Sequence, residues 1–225
     1  MPIKQSVCLP ILPPMDRGEL LRQIAAIGYP AIEVWGRDND FSALCAEAAG
    51  HGLKVVSMIG HGSLPDGLNK PENHDRIEAE LRESIDFAVD YSVGGLICFS
   101  GNRVEGMEEE EAIENTVDGF LRVSSYAEEK GINLNLELLN SKVDHAGYQC
   151  DFTDWGLEVV ERVDSPRVKL LYDIYHMQIM EGDVIRTIEE HSAAFGHFHT
   201  AGNPGRNDLD DRQELNYAAI CAAIA

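Results

Sequence analysis

The sequence predicts an α/β protein of the TIM (β/α)8-barrel type, and three observations support this fold class. Seven apolar, strand-like segments alternate with seven helix-like segments along the chain. Strands separated by helical patterns indicate parallel pairing through right-handed crossovers, as in a doubly wound open sheet or a closed barrel. Polar strand faces favour the barrel, because a sheet covered by helices on both sides would be apolar on both faces. Strand five carries Asn133, Asn135 and Glu137 on one face. In strand seven, His197 and His199 likewise share a face.

Each unit pairs a short apolar run with a segment of helical apolar spacing. The first helix, for example, has regularly spaced apolar residues up to Ile27, and Gly28 follows as a helix stop. A loop rich in Gly, Pro, Asp and Asn at residues 60–73 separates the third strand from a long helix. The predicted strands are residues 7–11, 31–35, 54–59, 95–100, 132–138, 168–174 and 195–200, and the predicted helices are 17–27, 41–49, 74–91, 107–130, 152–163, 184–192 and 217–225.

These units predict a single domain over residues 1–225 in which the barrel is incomplete at its C-terminal end. The sequence stops at Ala225, within the helix that would precede an eighth strand. An open seven-stranded barrel would expose unpaired backbone at its edges. We therefore expect either that the eighth strand is missing from this chain or that the barrel closes in some other way.

Composition bounds the class of protein. A chain of 225 residues with 44% hydrophobic content can bury one sizeable core. Its formal net charge of −21 is the opposite of the basic footprint that binds phosphate backbones, so no nucleic acid partner is expected. The five cysteines are scattered and form no C-x-x-C pair, which favours reduced thiols over a disulfide framework. Neither a signal peptide nor a bilayer-spanning stretch is apparent, so we expect a cytoplasmic protein with no membrane partner.

Carboxylates and imidazoles at the ends of three strands predict one convergent site. Glu137 lies among apolar and amide residues, where its burial is costly without a cation, so a metal or a role as a base would account for it. Asp173 ends the sixth strand, where the simpler interpretation is a helix or turn cap. His176 follows on the next loop, either as a packed loop histidine or as a donor that faces the substrate. His199 lies nearer the barrel mouth than His197, which we expect to be a hydrogen-bonded neighbour.

Three further residues are candidates for contact with a substrate. Arg206, in the turn after strand seven, is the local cation that could hold a substrate carboxylate through a bidentate fork, although a solvated loop charge explains it equally well. His61 begins the loop after strand three, and His145 follows strand five. Each of these two histidines, taken alone, is more simply explained by a structural role.

At these residues the chain resembles the hydroxypyruvate isomerase family, within the xylose-isomerase-like TIM barrels. The resemblance is specific from strand five onward, whereas the N-terminal half matches only in its alternation of strands and helices. The matching stretches are LELLN at 136–140, HAGY at 145–148, YDIYHMQ at 172–178, EGD at 181–183, GHFH at 196–199, NPGR at 203–206 and ELNY at 214–217.

The resemblance implies a role for each candidate residue. Glu137, Asp173 and His199 would bind a divalent metal ion (Mn, Mg, Co or Zn), and Glu137 would also transfer a proton next to a carbonyl. His176 and Arg206 would contact a small hydroxy-keto acid or sugar. A second catalytic glutamate would lie on strand eight, beyond Ala225. The implied activity is isomerisation of a hydroxypyruvate-type substrate through an enediolate, and a homo-oligomer is left open.

Three other functions are compatible with the same barrel. A ketose 3-epimerase or sugar isomerase would keep the metal but bind its substrate through hydroxyl-binding groups. A non-catalytic barrel could bind a sugar acid or a partner protein. An apurinic endonuclease would need clustered zinc ions and a basic face for DNA, and the net charge of −21 argues against it.

Overall fold

The computed structural model describes residues 3–225, and within them the chain forms one parallel sheet of seven strands in the order β1-β2-β3-β4-β5-β6-β7. Each strand pairs in parallel with the next strand along the chain, so β1 and β7 lie at the two ends of this order. The strands are Ser6–Cys8 (β1), Ala31–Glu33 (β2), Lys54–Ile59 (β3), Gly95–Cys98 (β4), Asn133–Glu137 (β5), Val168–Asp173 (β6) and Phe195–His199 (β7).

Helices separate the strands as the alternation predicts. They are Arg17–Ile27 (α1), Phe41–Gly50 (α2), His74–Tyr91 (α3), Glu109–Leu121 (α4), Ser124–Lys130 (α5), Thr153–Val163 (α6), Ile174–Met180 (α7), Val184–His191 (α8) and Tyr217–Ile224 (α9). Across residues 3–225, none of these helices combines the length and the apolar composition that crossing a bilayer requires. All five cysteines are free thiols, as their spacing predicts.

The sheet curls as a barrel does, so the predicted fold class is confirmed. Strands β2 and β7 are five positions apart, which in a flat sheet would separate them by about 24 Å. Yet the Nε2 atom of His197 on β7 lies 3.0 Å from Oε1 of Glu33 on β2. The uninterrupted strand order also differs from a doubly wound sheet, in which the order reverses at a switch point.

The two faces of β5 separate the barrel interior from the helical layer. Leu134 and Leu136 are completely buried on one face, and Leu138 on the same face packs against Gly156 of α6. On the other face, the side chain of Asn135 reaches across to β7, where a Cβ added at Gly196 would lie 2.2 Å from its Oδ1. The face pattern that favoured a barrel therefore places the polar side chains of β5 inside it.

The structure corrects three predicted elements. The first strand ends at Cys8 instead of residue 11, because Pro10 lies in a 3-10 helix, Leu9–Ile11, and has no N–H for the sheet. The helix predicted over 107–130 is divided into α4 and α5 by a turn at Val123, whose side chain is fully buried there. His176, predicted on a loop, lies in the first turn of α7.

Candidate active site

Four acidic or imidazole side chains lie at the last residues of four strands, and we call them the strand-end cluster. Glu33 ends β2, Glu137 ends β5, Asp173 ends β6 and His199 ends β7. The carboxyl ends of parallel strands meet at one edge of a curled sheet, so these side chains converge although the chain separates them widely. All three carboxylates are less than 10% exposed.

His199 lies at the centre of the strand-end cluster. Its Nδ1 atom is 3.1 Å from Oε1 of Glu137 and 3.8 Å from Oδ2 of Asp173, and its Nε2 atom is 3.1 Å from Oε2 of Glu33. Burial alone would lower the pKa of His199, but the hydrogen bonds to Glu137 and Glu33 outweigh it and raise the pKa to about 10. The surrounding carboxylates therefore favour a positive charge at this position.

Glu33 is the member of the cluster that the sequence analysis missed. Its carboxylate accepts hydrogen bonds from the Ser6 hydroxyl, from His197 at 3.0 Å and from His199 at 3.1 Å. Burial would raise the pKa of Glu33, but its bonds to the two histidines outweigh this and hold the pKa well below its usual range. The sequence did contain a signal, since an acid inside the apolar run of residues 31–35 has the same character as Glu137.

The prediction that His197 is a hydrogen-bonded neighbour is confirmed. Its Nε2 atom bonds Glu33. The carboxylates of Glu137 and Asp173 lie near His199 instead. The two histidines are two residues apart on β7, and His199 is the one at the strand end. The two histidines therefore share Glu33, and His199 also reaches Glu137 and Asp173.

Two overlapping groups in the described residues could hold a metal ion. One consists of Glu137, Asp173 and His199, and the other of Glu33, His197 and His199. In each group the ligand atoms lie within 4.8 Å of one another. Two buried carboxylates and an imidazole form a donor set that suits a divalent cation, which would replace the proton on His199. The residues present thus fit a metal. Because one ring nitrogen binds one ion, His199 could serve both groups only through different nitrogens.

Asp173 has two roles, one of which is the capping role expected for an acid at a strand end. Its Oδ1 atom accepts a hydrogen bond at 3.0 Å from the backbone N–H of His176 and so caps α7. Its Oδ2 atom remains directed toward Nδ1 of His199 and Nε2 of His176, at 3.8 and 3.7 Å. Capping therefore orients the carboxylate and leaves one oxygen for the cluster.

The structure brings His176 and His145 together beside the cluster. The His176 side chain is fully buried, and its ring centroid lies 5.3 Å from that of His145. Burial is the main cause that lowers the pKa of each imidazole, and the positive charge of Arg206 adds to it. Burial and Arg206 therefore both favour the neutral form of the two rings, in which each can act as a hydrogen-bond donor and acceptor.

Arg206 lies on an exposed loop near the same residues. Its guanidinium carbon is 5.7 Å from the ring centroid of Tyr175, which precedes His176 in α7. Within residues 3–225, no carboxylate lies within salt-bridge distance of Arg206, and its backbone φ of 57° is unusual for a residue other than glycine. The side chain is therefore a cation that remains available to an anionic ligand.

His61, the third candidate for substrate contact, uses both ring nitrogens inside the protein. Its Nε2 atom accepts the backbone N–H of Phe99 at 3.0 Å, and its Nδ1 atom lies 3.2 Å from the carbonyl oxygen of Gly62. Burial lowers the pKa of His61 to about 4. Its contacts join the ends of β3 and β4, so we assign it a structural role.

The model of one protein family, described as Xylose isomerase-like TIM barrel, matches residues 21–224. The chain is 29% identical over 219 residues to the 2-oxo-tetronate isomerase of Haemophilus influenzae, covering 93% of this chain and 81% of that protein. It is 28% identical over 151 residues to the hydroxypyruvate isomerase of Escherichia coli, covering 65% of this chain and 58% of that protein.

Among solved structures, the chain is similar to the AP endonuclease, family 2, of Brucella melitensis. The TM-score is 0.84 with 23% identity, and the match covers 99% of this chain and 88% of the other. At this identity the likeness concerns the fold. It agrees with the curled parallel sheet described above.

Proposed function

The chain belongs to the xylose isomerase-like TIM barrel family, and we propose that it is a metal-dependent isomerase of a small hydroxy-keto acid. Relatives named for hydroxypyruvate and 2-oxo-tetronate support an isomerase whose substrate carries both a carbonyl and a carboxylate. The observation that carries the proposal is the convergence of Glu137, Asp173 and His199 at three strand ends.

In this proposal Glu137, Asp173 and His199 hold the metal ion. A bound divalent ion would polarise the substrate carbonyl and offset the negative charge that develops on its oxygen. Carboxylate oxygens and an imidazole nitrogen suit Mn, Mg, Co and Zn alike, so the donor set does not select one of them. Glu33 accepts from the opposite nitrogen of His199 and so orients the ring.

The remaining groups bind the substrate and move a proton. A carboxylate oxygen of Glu137 removes the proton from the carbon that bears the hydroxyl, which gives an enediolate. Return of that proton to the neighbouring carbon, together with transfer of the hydroxyl proton to the former carbonyl oxygen, exchanges the positions of carbonyl and hydroxyl. The N–H of His176 donates to a substrate oxygen, and Arg206 pairs with the substrate carboxylate. His145 lies against His176 and completes this side of the pocket.

Substitution of Glu137 tests the proposal directly. We expect Glu137→Gln to lower kcat for hydroxypyruvate isomerisation by about 10³-fold, because an amide cannot take up the carbon-bound proton. Glu158→Gln on the exposed face of α6 removes the same charge away from the cluster and should leave kcat unchanged. Full activity of Glu137→Gln, with its metal content unchanged, would contradict the role of this carboxylate.

Arg206 tests the substrate class. Arg206→Ala should raise KM for hydroxypyruvate by roughly 10- to 100-fold, the loss expected for a charge-assisted hydrogen bond, and should hardly change KM for a neutral ketose. Arg212→Ala, which removes a cation already paired with Asp210, serves as the matched control. Equal effects on acidic and neutral substrates would remove Arg206 from the carboxylate site.

A further inference from the structure

The two ring nitrogens of His176 have different surroundings. Its Nδ1 atom lies 3.2 Å from the backbone nitrogen of Asn140 and 2.6 Å from Nδ2 of the same residue. Its Nε2 atom is buried and has no hydrogen-bond partner among the described residues. The nearest carboxylate oxygen to that atom is Oδ2 of Asp173, at 3.7 Å.

The amide of Asn140 is fixed in one orientation by its other partners. Its Oδ1 atom accepts the backbone N–H groups of Val143 at 3.0 Å and Asp144 at 2.9 Å. Its Nδ2 atom donates to Oδ2 of Asp144 at 2.6 Å, and that oxygen also accepts from the hydroxyl of Tyr175 at 2.9 Å. A flipped amide would place its nitrogen against two N–H donors, so the group facing His176 is the NH2.

Both groups of Asn140 that face Nδ1 of His176 are therefore donors. An N–H at Nδ1 would meet two other N–H groups, so the favourable state has the proton on Nε2 and a lone pair on Nδ1. The tautomer follows from the contacts of a residue near the start of the loop after β5.

We propose that Asn140 is a positioning residue that holds His176 as the neutral Nε2–H tautomer, with its unsatisfied N–H directed at the substrate position beside Asp173. The identity of the acceptor as a substrate oxygen rests on the proposed function, whereas the tautomer rests on the contacts alone. A buried N–H without a partner carries a desolvation cost of about 1–3 kcal/mol, and a substrate oxygen would remove that cost. The neutral donor stabilises charge on that oxygen without losing its proton.

The tautomer can be measured by long-range ¹H–¹⁵N correlation spectra of the full chain labelled with [¹⁵N]histidine, recorded at neutral pH with and without added Zn²⁺. Comparison with His176→Gln identifies the signals of this residue. Asn140→Asp replaces the amide donor with a carboxylate acceptor of the same shape. Asp144→Asn is the matched control, because its amide oxygen can still accept from Asn140 and Tyr175.

We expect Nε2–H in the wild type and in Asp144→Asn, and protonation of Nδ1 in Asn140→Asp. The latter should also lose about 10²-fold in kcat with unchanged Zn²⁺ affinity, as for the loss of one donor to a developing oxyanion. Protonated Nδ1 in the wild type, or an unchanged tautomer in Asn140→Asp, would overturn the inference. The wild-type spectrum decides the tautomer even if the variant does not fold. An Nε2–H tautomer in a protein without isomerase activity would count against the proposed function alone.

Discussion

His199 shows how a single side chain connects two networks. Its Nδ1 atom faces Glu137 and Asp173, and its Nε2 atom faces Glu33. A carboxylate that accepts from one nitrogen of an imidazole fixes the ring and increases the basicity of the other nitrogen. Glu33 therefore acts on any ion at Glu137 and Asp173 through His199 and does not need to touch the ion.

Glu33→Gln should weaken metal binding by about 10- to 100-fold, the usual cost of losing a partner behind a ligand histidine. Competition with a chromogenic chelator for Zn²⁺ measures this without reference to activity. Glu158→Gln provides the control, since it removes the same charge outside both groups that could hold a metal. An unchanged affinity in Glu33→Gln would mean that His199 is oriented by other groups.

At the level of elements, the sequence predicts β5, β6 and β7 and the acids and imidazoles at their ends, because each strand is an apolar run that closes on a polar residue. Helix α7 could not be predicted in the same way. It begins directly after Asp173 with no intervening loop, and most of its residues are buried. A helix buried on nearly every side has no amphipathic period, so its pattern continues that of the preceding strand.

The residues missed by the sequence analysis depend on long-range contacts. Glu33 bonds to histidines 164 and 166 positions further along the chain, and only the curl of the sheet brings β2 to β7. Asn140 lies in one of the matching stretches, but the sequence pattern gives it no role, because its importance lies in the N–H groups that it offers to His176. Local patterns identify reactive residue types, whereas the fold decides which of them meet.

For the whole molecule, the net charge of −21 is compatible with cation binding at the strand-end cluster. A negative global field attracts divalent cations and repels polyanions. The same field opposes a small anionic substrate, so recognition of a carboxylate depends on a local cation such as Arg206. The proposed acidic substrate would therefore depend on Arg206 to offset the overall negative charge.

The stability of the whole fold should also depend on pH through His61. Its folded-state pKa of about 4 lies below the value near 6.5 of a solvated histidine, so protons bind the unfolded chain first as the pH falls. The contribution of this group is complete above pH 6.5 and is lost between pH 6.5 and 4, amounting to about 3 kcal/mol at most. Urea unfolding across this range should give a shallower pH slope for His61→Gln than for the wild type, with the exposed His51→Gln as control. Identical slopes in wild type and His61→Gln would mean that His61 takes up its proton equally easily in the folded state, despite its bonds to Phe99 and Gly62.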